Sequence, residues 1–386
     1  MLTLRGDTVY TGHGLLSRGT IAIDGTTITS IGPTDGEVTA SYPVITPAII
    51  DAHSHIGLIR AGEPSAEAEA NDHLDSILAH ADVLDSVQMD DKGFRDSIEV
   101  GVLYSCVLPG SGNIIGGNSA VIRNYAHDTN SAFIRRAGIK GAFGYNPMST
   151  REWKGQRPWT RMGALAILRA RLVDVQNKMA KETAKAKDNG GDGAEGTVTY
   201  SAEEKVLKAL LTGQERYRVH AHKNDDIAAL LRIVDEFGLK VVVEHSMDVH
   251  DVAIYKELAA RGIPVVYGPM DTLAYKVELK HENWRNLRYL LDSGVEFGLM
   301  TDHPVIMQNM LFYCLRHFLH LGVSKQAALE VITRQNARIL GIDDILGTLE
   351  PGKWGSLICW NGDPFALESH PVAVYAEGKL VYQAEA

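Results

Sequence analysis

Short apolar runs separated by amphipathic stretches fill the middle of the chain. The runs at 48–55 (AIIDAHSH), 102–109, 139–146, 217–222, 239–246, 263–270 and 295–303 have the length and β-branched content of buried strands. Between the later runs, apolar positions recur at helical spacing, as in DDIAALLRIVDEFG from Asp225 and DVAIYKELAARG from Asp251. Strand and helix in alternation predict βα units on a parallel sheet. A barrel fits better than a doubly wound sheet, because no glycine fingerprint opens a helix after the first strand. The two ends of the chain read differently. Leu2 to Pro47 and GTLEPGKWGSLICWNGDPF onward show short β-type runs punctuated by turn residues, with Glu377-Gly378 as a predicted hairpin turn.

This texture divides the chain into 1–47, 48–344 and 345–386, the first and last parts building one small β-sandwich from both termini. A (β/α)₈ barrel takes about 250 residues, so 386 residues suit a barrel plus something smaller. One stretch stands apart: 173–204 is charged and helix-prone, then passes into GGDGAEG, and reads as a solvated, partly flexible insertion. A chain this long buries its core without staples, so a bound metal would serve chemistry rather than folding. The formal net charge of −10 argues against a nucleic-acid partner. No apolar run nears the ~20 residues that span a bilayer, and no leader is visible, so the expected compartment is cytoplasmic. Cys106, Cys314 and Cys359 are scattered through apolar runs and read as buried reduced thiols.

Candidate chemistry begins at Asp51-Ala-His-Ser-His55. Residues two apart on a strand share a face, so His53 and His55 project together. Two imidazoles so placed can bind one Zn²⁺ at ~2.0–2.1 Å each. Such a pair is not specific alone, since histidines occur together on ordinary surfaces. Three further residues, His220, His245 and Asp302, each close a later apolar run. That is where barrel enzymes gather their reactive groups, and the joint pattern points to a metal site. His222 shares the face of His220 if the strand continues, as a substrate contact or a loop histidine. His303 should point away from Asp302 and pack. PGSGNIIGGN (109–118) lacks the GK[ST] of a phosphate-binding loop and reads as a tight loop beside the site. Arg161 has the fork geometry for a substrate carboxylate, a surface ion pair being the plainer alternative.

Taken together, IIDAHSHIGL, VLPGSGNIIGGNSAVIR, STREWKGQRPWTRMG, VHAHKNDDI, TDHPV, ITRQNARILGI and GTLEPGKWGSLICWNGDPF resemble the amidohydrolase superfamily, nearest its imidazolonepropionase-related group. The likeness spans essentially the whole chain. It implies a distorted (β/α)₈ barrel with a small β-sandwich, and one or two divalent ions, zinc first among them. On that resemblance His53, His55, His220 and Asp302 match metal ligands. His245 matches either a ligand of a second ion or a catalytic histidine. Lys140 and Tyr145 are similar to the carboxylated bridging lysine and the oxyanion-binding tyrosine of hydantoinases. Relatives often read GENP where this chain has Gly144-Tyr145-Asn146-Pro147, so that glutamate is missing. Either Lys140 is carboxylated and bridges two ions, or the site holds one.

The implied reaction is hydrolysis of a C–N bond in an amide or cyclic amide of a small molecule, with Asp302 shuttling the proton. A deaminase uses the same parts, but the glutamate that many carry soon after the histidine at this position is absent: Ala221, His222, Lys223 and Asn224 follow His220, and Asp225 and Asp226 read as helix caps. A phosphotriester or lactone hydrolase fits the same scaffold. A non-catalytic scaffold would be expected to lose ligands. Homo-oligomerisation is left open.

Overall fold

The computed structural model describes residues 1–33, 36–188 and 198–385. Four strands come first: β1 (Leu2–Tyr10), β2 (Leu15–Asp24), β3 (Thr27–Pro33) and β4 (Ala40–Pro47). Eight follow: β5 (Ile49–Ser54), β6 (Val102–Val107), β7 (Ile115–Arg123), β8 (Phe133–Ala142), β9 (Tyr217–Ala221), β10 (Val241–His245), β11 (Val265–Tyr267) and β12 (Phe297–Leu299). Three close the chain: β13 (Leu357–Trp360), β14 (Pro371–Ala376) and β15 (Lys379–Gln383).

β5 to β12 form one sheet in chain order, and every predicted middle run supplies one of its strands. β7 is the strand not anticipated: the tight-loop reading holds for 109–114 only, because Ile115–Asn118 already pair with β8. β7 runs antiparallel to both neighbours, while the other pairs in this sheet are parallel. The reason is connection length. The links 108–114 and 124–132 are shorter than the dozen or more residues a parallel crossover needs. Glycine hid the strand: at φ 130° and with the Ala81 carbonyl 2.5 Å from where a Cβ would sit, position 117 requires glycine.

The sheet nearly closes on itself. Ser54 bridges His303 in parallel, His55 N donates to His303 O (3.0 Å), and Asp302 N donates to His53 O (3.1 Å). Asn336 seals the seam below, donating to Ile50 O (2.6 Å) and Leu299 O (2.9 Å) and accepting from Leu299 N (3.0 Å). The predicted helices after β9 and β10 are Asn224–Phe237, ended by Gly238 in the left-handed region, and Ala253–Ala260.

The two chain ends share a single seven-stranded sheet, ordered β15-β14-β13-β4-β1-β2-β3. Leu4, Ile21, Ile28, Ile45, Leu357 and Tyr375 pack in one cluster although they come from strands far apart in that order, so the sheet curls around its own core. Thr27 bridges Trp354, joining the β3 side to the segment ahead of β13. Glu377 and Gly378 form the predicted turn, both at positive φ as a two-residue hairpin loop demands.

Where it is described, the stretch read as an insertion is largely helical. Arg161–Asp188 continues the helix through its first part, buries Leu172 and Val175, and packs against Ala202–Leu211. Lys178–Glu204 (2.6 Å) and Lys208–Glu182 (2.7 Å) tie the two helices. The GGDGAEG run lies outside the described residues.

Candidate active site

At the C-terminal end of the eight-stranded sheet, five imidazoles and a carboxylate converge. His53, His220 and His245 meet in one place, with ring centroids 5.0 Å (His53–His245) and 4.2 Å (His220–His245) apart; the β9–β10 register sets Glu244 opposite His220, and His245, at positive φ, departs from the strand alternation. His55 lies 5.2 Å from His53, and His222 lies 4.7 Å from both His220 and His245. All five are buried. Asp302 Oδ1 stands 3.3 Å from His53 Nε2 and 3.1 Å from His55 Nε2. The donor atoms fall into two groups, His53–His55–Asp302 and His220–His222–His245, and within each group they lie within 4.8 Å of one another. His245 and Asp302 both have positive φ (81° and 53°). Such strain, about 1–3 kcal/mol each, gathers at functional sites.

Three rings are anchored from behind. His53 Nδ1 is 2.9 Å from Glu244 Oε2, His55 Nδ1 is 2.8 Å from Leu108 O, and His245 Nδ1 is 3.0 Å from Gly268 O. Each Nδ1–H therefore donates outward, leaving Nε2 as a bare lone pair facing the cluster, the arrangement of metal-binding histidines. His53 Nε2, His245 Nε2 and His222 Nδ1 are buried and have no hydrogen-bond partner. Buried nitrogens left without partners are costly unless something binds there, and this donor set suits a divalent cation.

A charged layer supports the rings. Arg218 Nη2 lies 2.8 Å from Glu244 Oε1 and donates to Ala52 O (2.9 Å), and neither side chain is exposed. Lys140, opposite Arg218 in the β8–β9 register, is fully buried and donates to Ser111 Oγ (2.7 Å), which also lies 3.0 Å from His220 Nδ1. Burial pushes the Lys140 ammonium down to about 8, despite the opposing pull of Asp302 and Glu244. Burial, then the Lys276 charge, pushes His220 down to about 4, and burial next to His220 holds His222 and His245 well below the usual range. Burial would also lower His53, but Asp302 and Glu244 outweigh it and hold that ring above its ordinary value. Burial alone would raise Asp302; His245, His53 and His55 overcome it, and the carboxylate stays ionised.

Other sequence-derived candidates take different places. Tyr145 opens a short helix; its backbone N–H donates to Glu278 Oε2 (2.9 Å), and its side chain is part-exposed. Arg161 is bound bidentately by Asp226 (2.6 and 3.1 Å), so its fork is already filled by the protein. Asp226 correspondingly caps nothing: the N-cap position is Lys223, and Asp226 sits in the first turn. His303 is buried and packed, accepting from Gln308 N at Nδ1 (3.2 Å).

Glu244, Glu278 and Ser111 were not anticipated. An acid ending the apolar run KVVVE, like Arg218 in YRVH, was the available signal for a buried charge pair. Glu278 gave none, because it lies in an irregular segment after β11. There it is buried with Oε1 2.9 Å from His220 Nε2, 2.8 Å from Lys276 Nζ and 3.8 Å from His222 Nε2.

The profile of the amidohydrolase family matches residues 44–381. The chain belongs to the amidohydrolase family. An amidohydrolase structure from Thermotoga maritima MSB8 superposes with a TM-score of 0.91 at 30% identity, covering 100% of both chains. Amidohydrolase tasK of Hapsidospora irregularis is 26% identical over 96% of this chain, and the match covers 40% of that protein. A 5-methylthioadenosine/S-adenosylhomocysteine deaminase of Desulforudis audaxviator is 24% identical over 48% of this chain and 47% of its own length. The chain thus spans less than half of each curated relative it matches. Amidohydrolases of this fold suggest a barrel with a second sheet domain, in keeping with the nearly closed sheet and its seven-stranded companion.

Proposed function

We propose that this amidohydrolase is a metal-dependent hydrolase that cleaves a C–N bond of an amide or cyclic amide in a small molecule. The observation that carries the reading is that His53 Nε2 and His245 Nε2 are buried without partners while the opposite nitrogen of each ring is fixed. His53, His55 and Asp302 would hold one divalent ion, Zn²⁺ by ligand type. His220 and His245 would hold a second, with His222 and the Glu278 carboxylate beside them. Lys140, if carboxylated, would bridge the two; its low pKa leaves a fraction of the amine neutral and able to take up CO₂. Bound at such ligands, a divalent ion lowers the pKa of water from 15.7 to about 7.

The chain's own residues supply the remaining steps. Asp302, held ionised beside His53 and His55, accepts the proton of the attacking water and passes it to the leaving nitrogen. The Tyr145 hydroxyl serves as donor to the developing oxyanion only if its part-exposed side chain turns toward the cluster. Glu244 keeps His53 in the tautomer that faces the cluster. His222 contacts the substrate. Arg161 does so only if Asp226 releases it.

Deamination is the second reading, and Glu278 favours it: a buried carboxylate lies 2.9 Å from His220, where the sequence offered no acid. Metal analysis and product analysis test both readings. Wild-type protein should carry one or two divalent ions per chain and lose activity on chelation. Release of an amine with a new carboxylate supports amide hydrolysis, and release of ammonia supports deamination. A chain that neither binds metal nor hydrolyses any amide, cyclic amide or amino-heterocycle would overturn the proposal.

A further inference from the structure

A third group of metal-type donors lies outside the site described above. Asp248, His250 and His281 present ligand atoms all within 4.8 Å of one another. Asp248 and His250 belong to the loop after β10, and His281 to the segment after β11 that carries Lys276 and Glu278. Asp248 is buried and fixed: its N–H donates to His222 O (3.1 Å), and its Oδ1 accepts from His281 N (2.5 Å). His250 Nδ1 lies 2.8 Å from Asp248 O, so Nδ1–H donates there and Nε2 keeps its lone pair. His281 Nδ1 is 3.3 Å from Asp248 Oδ2, and the two imidazoles are 4.3 Å apart, tilted by 37°. The His281 side chain is 41% exposed, so an ion reaches it from solvent without passing the active site. The buried Asp248 carboxylate brings negative charge here. One cation already answers it, since Lys223 Nζ lies 3.6 Å from Asp248 Oδ2.

We propose that Asp248, His250 and His281 form an accessory site for a borderline divalent ion such as Zn²⁺ or Ni²⁺, clamping the Glu278-bearing segment to the loop after β10. Two imidazoles and one carboxylate suit such ions and leave coordination positions for water. The ion joins two segments that the Asp248 carboxylate and the His250–His281 ring contact already bring together. It competes with Lys223 for that carboxylate and fixes the segment that positions Glu278 against His220.

The test counts metal on protein already loaded at its active site and then equilibrated with a small excess of Zn²⁺. Wild type should hold one more ion per chain than His250→Ala/His281→Ala, while both keep the same active-site complement and the same activity at limiting zinc. Lys223→Met should bind the extra ion more tightly, because its competitor is gone. Zinc should slow amide exchange across 276–283 in wild type and not in the double variant. Equal metal content in wild type and the double variant would overturn the site. Unchanged exchange with the extra ion bound would overturn the clamp. Neither result depends on whether the main site hydrolyses amides, because the difference is taken between proteins sharing that site.

Discussion

Glu244 concentrates the logic of the site in one side chain. It holds His53 Nδ1 at 2.9 Å and faces Arg218 at 2.8 Å, with all three groups buried. Glu244→Gln keeps the shape and removes the charge. Groups behind a metal ligand are worth about 10–100-fold in metal affinity, and breaking a buried ion pair costs about 3–5 kcal/mol because the partner is left unpaired. The variant should bind Zn²⁺ correspondingly more weakly and unfold at lower urea. Zinc affinity equal to wild type would refute the orienting role. Asp302→Asn probes chemistry instead. It should lower kcat by about 10²–10⁴-fold, the range for a positioned proton acceptor, and full hydrolysis by this variant would remove Asp302 from that role. At this scale the sequence is most legible where a polar residue closes an apolar strand, as at His53, His220, His245 and Asp302. Ser111 and Glu278 were illegible because irregular segments place them, and only the folded chain brings Glu278 to His220.

The elements show a similar division. Parallel strands buried on both faces are near-continuous apolar runs, so β5, β6 and β8 to β12 could be read directly. β7 could not, because glycines at 116 and 117 interrupt its pattern and the close approach of Ala81 demands one of them. The seam between β12 and β5 offers an element-level test. Asn336→Ala removes the amide that serves Ile50 O, Leu299 O and Leu299 N. A buried backbone group left unpaired costs about 1–3 kcal/mol, so urea denaturation should show a loss of at least that size. Activity should fall too, since the same seam carries Asp302 N–H to His53 O. Asn336→Asp retains the acceptor for Leu299 N but turns a buried carboxylate oxygen on the Ile50 and Leu299 carbonyls, so it should be no more stable than Asn336→Ala. A variant as stable as wild type would mean that the seam is held elsewhere.

Across the whole molecule, the cluster makes stability depend on pH in a direction that can be worked out. His220 is pushed down to about 4, and His222 and His245 lie well below the ordinary value of 6.5, in each case chiefly through burial. Between those values and about 6.5 the unfolded chain binds protons that the native chain refuses. Stability therefore rises with pH through this window and is lost as pH falls from about 6.5 toward 4. His53 has the opposite sign: its raised value adds stability below about 6.5 that fades as pH rises, and it offsets part of the loss. Three lowered rings against one raised leave net acid lability. Bound metal steepens it, because its ligands must be deprotonated and binding favours the native state alone. Urea midpoints of chelator-treated protein should therefore fall between about pH 7 and pH 5, and more steeply with Zn²⁺ restored. Carboxylates also contribute to acid unfolding, so the comparison that isolates the imidazoles is His222→Gln/His245→Gln. That variant should show a flatter pH profile, and a slope identical to wild type would show that the cluster does not govern it.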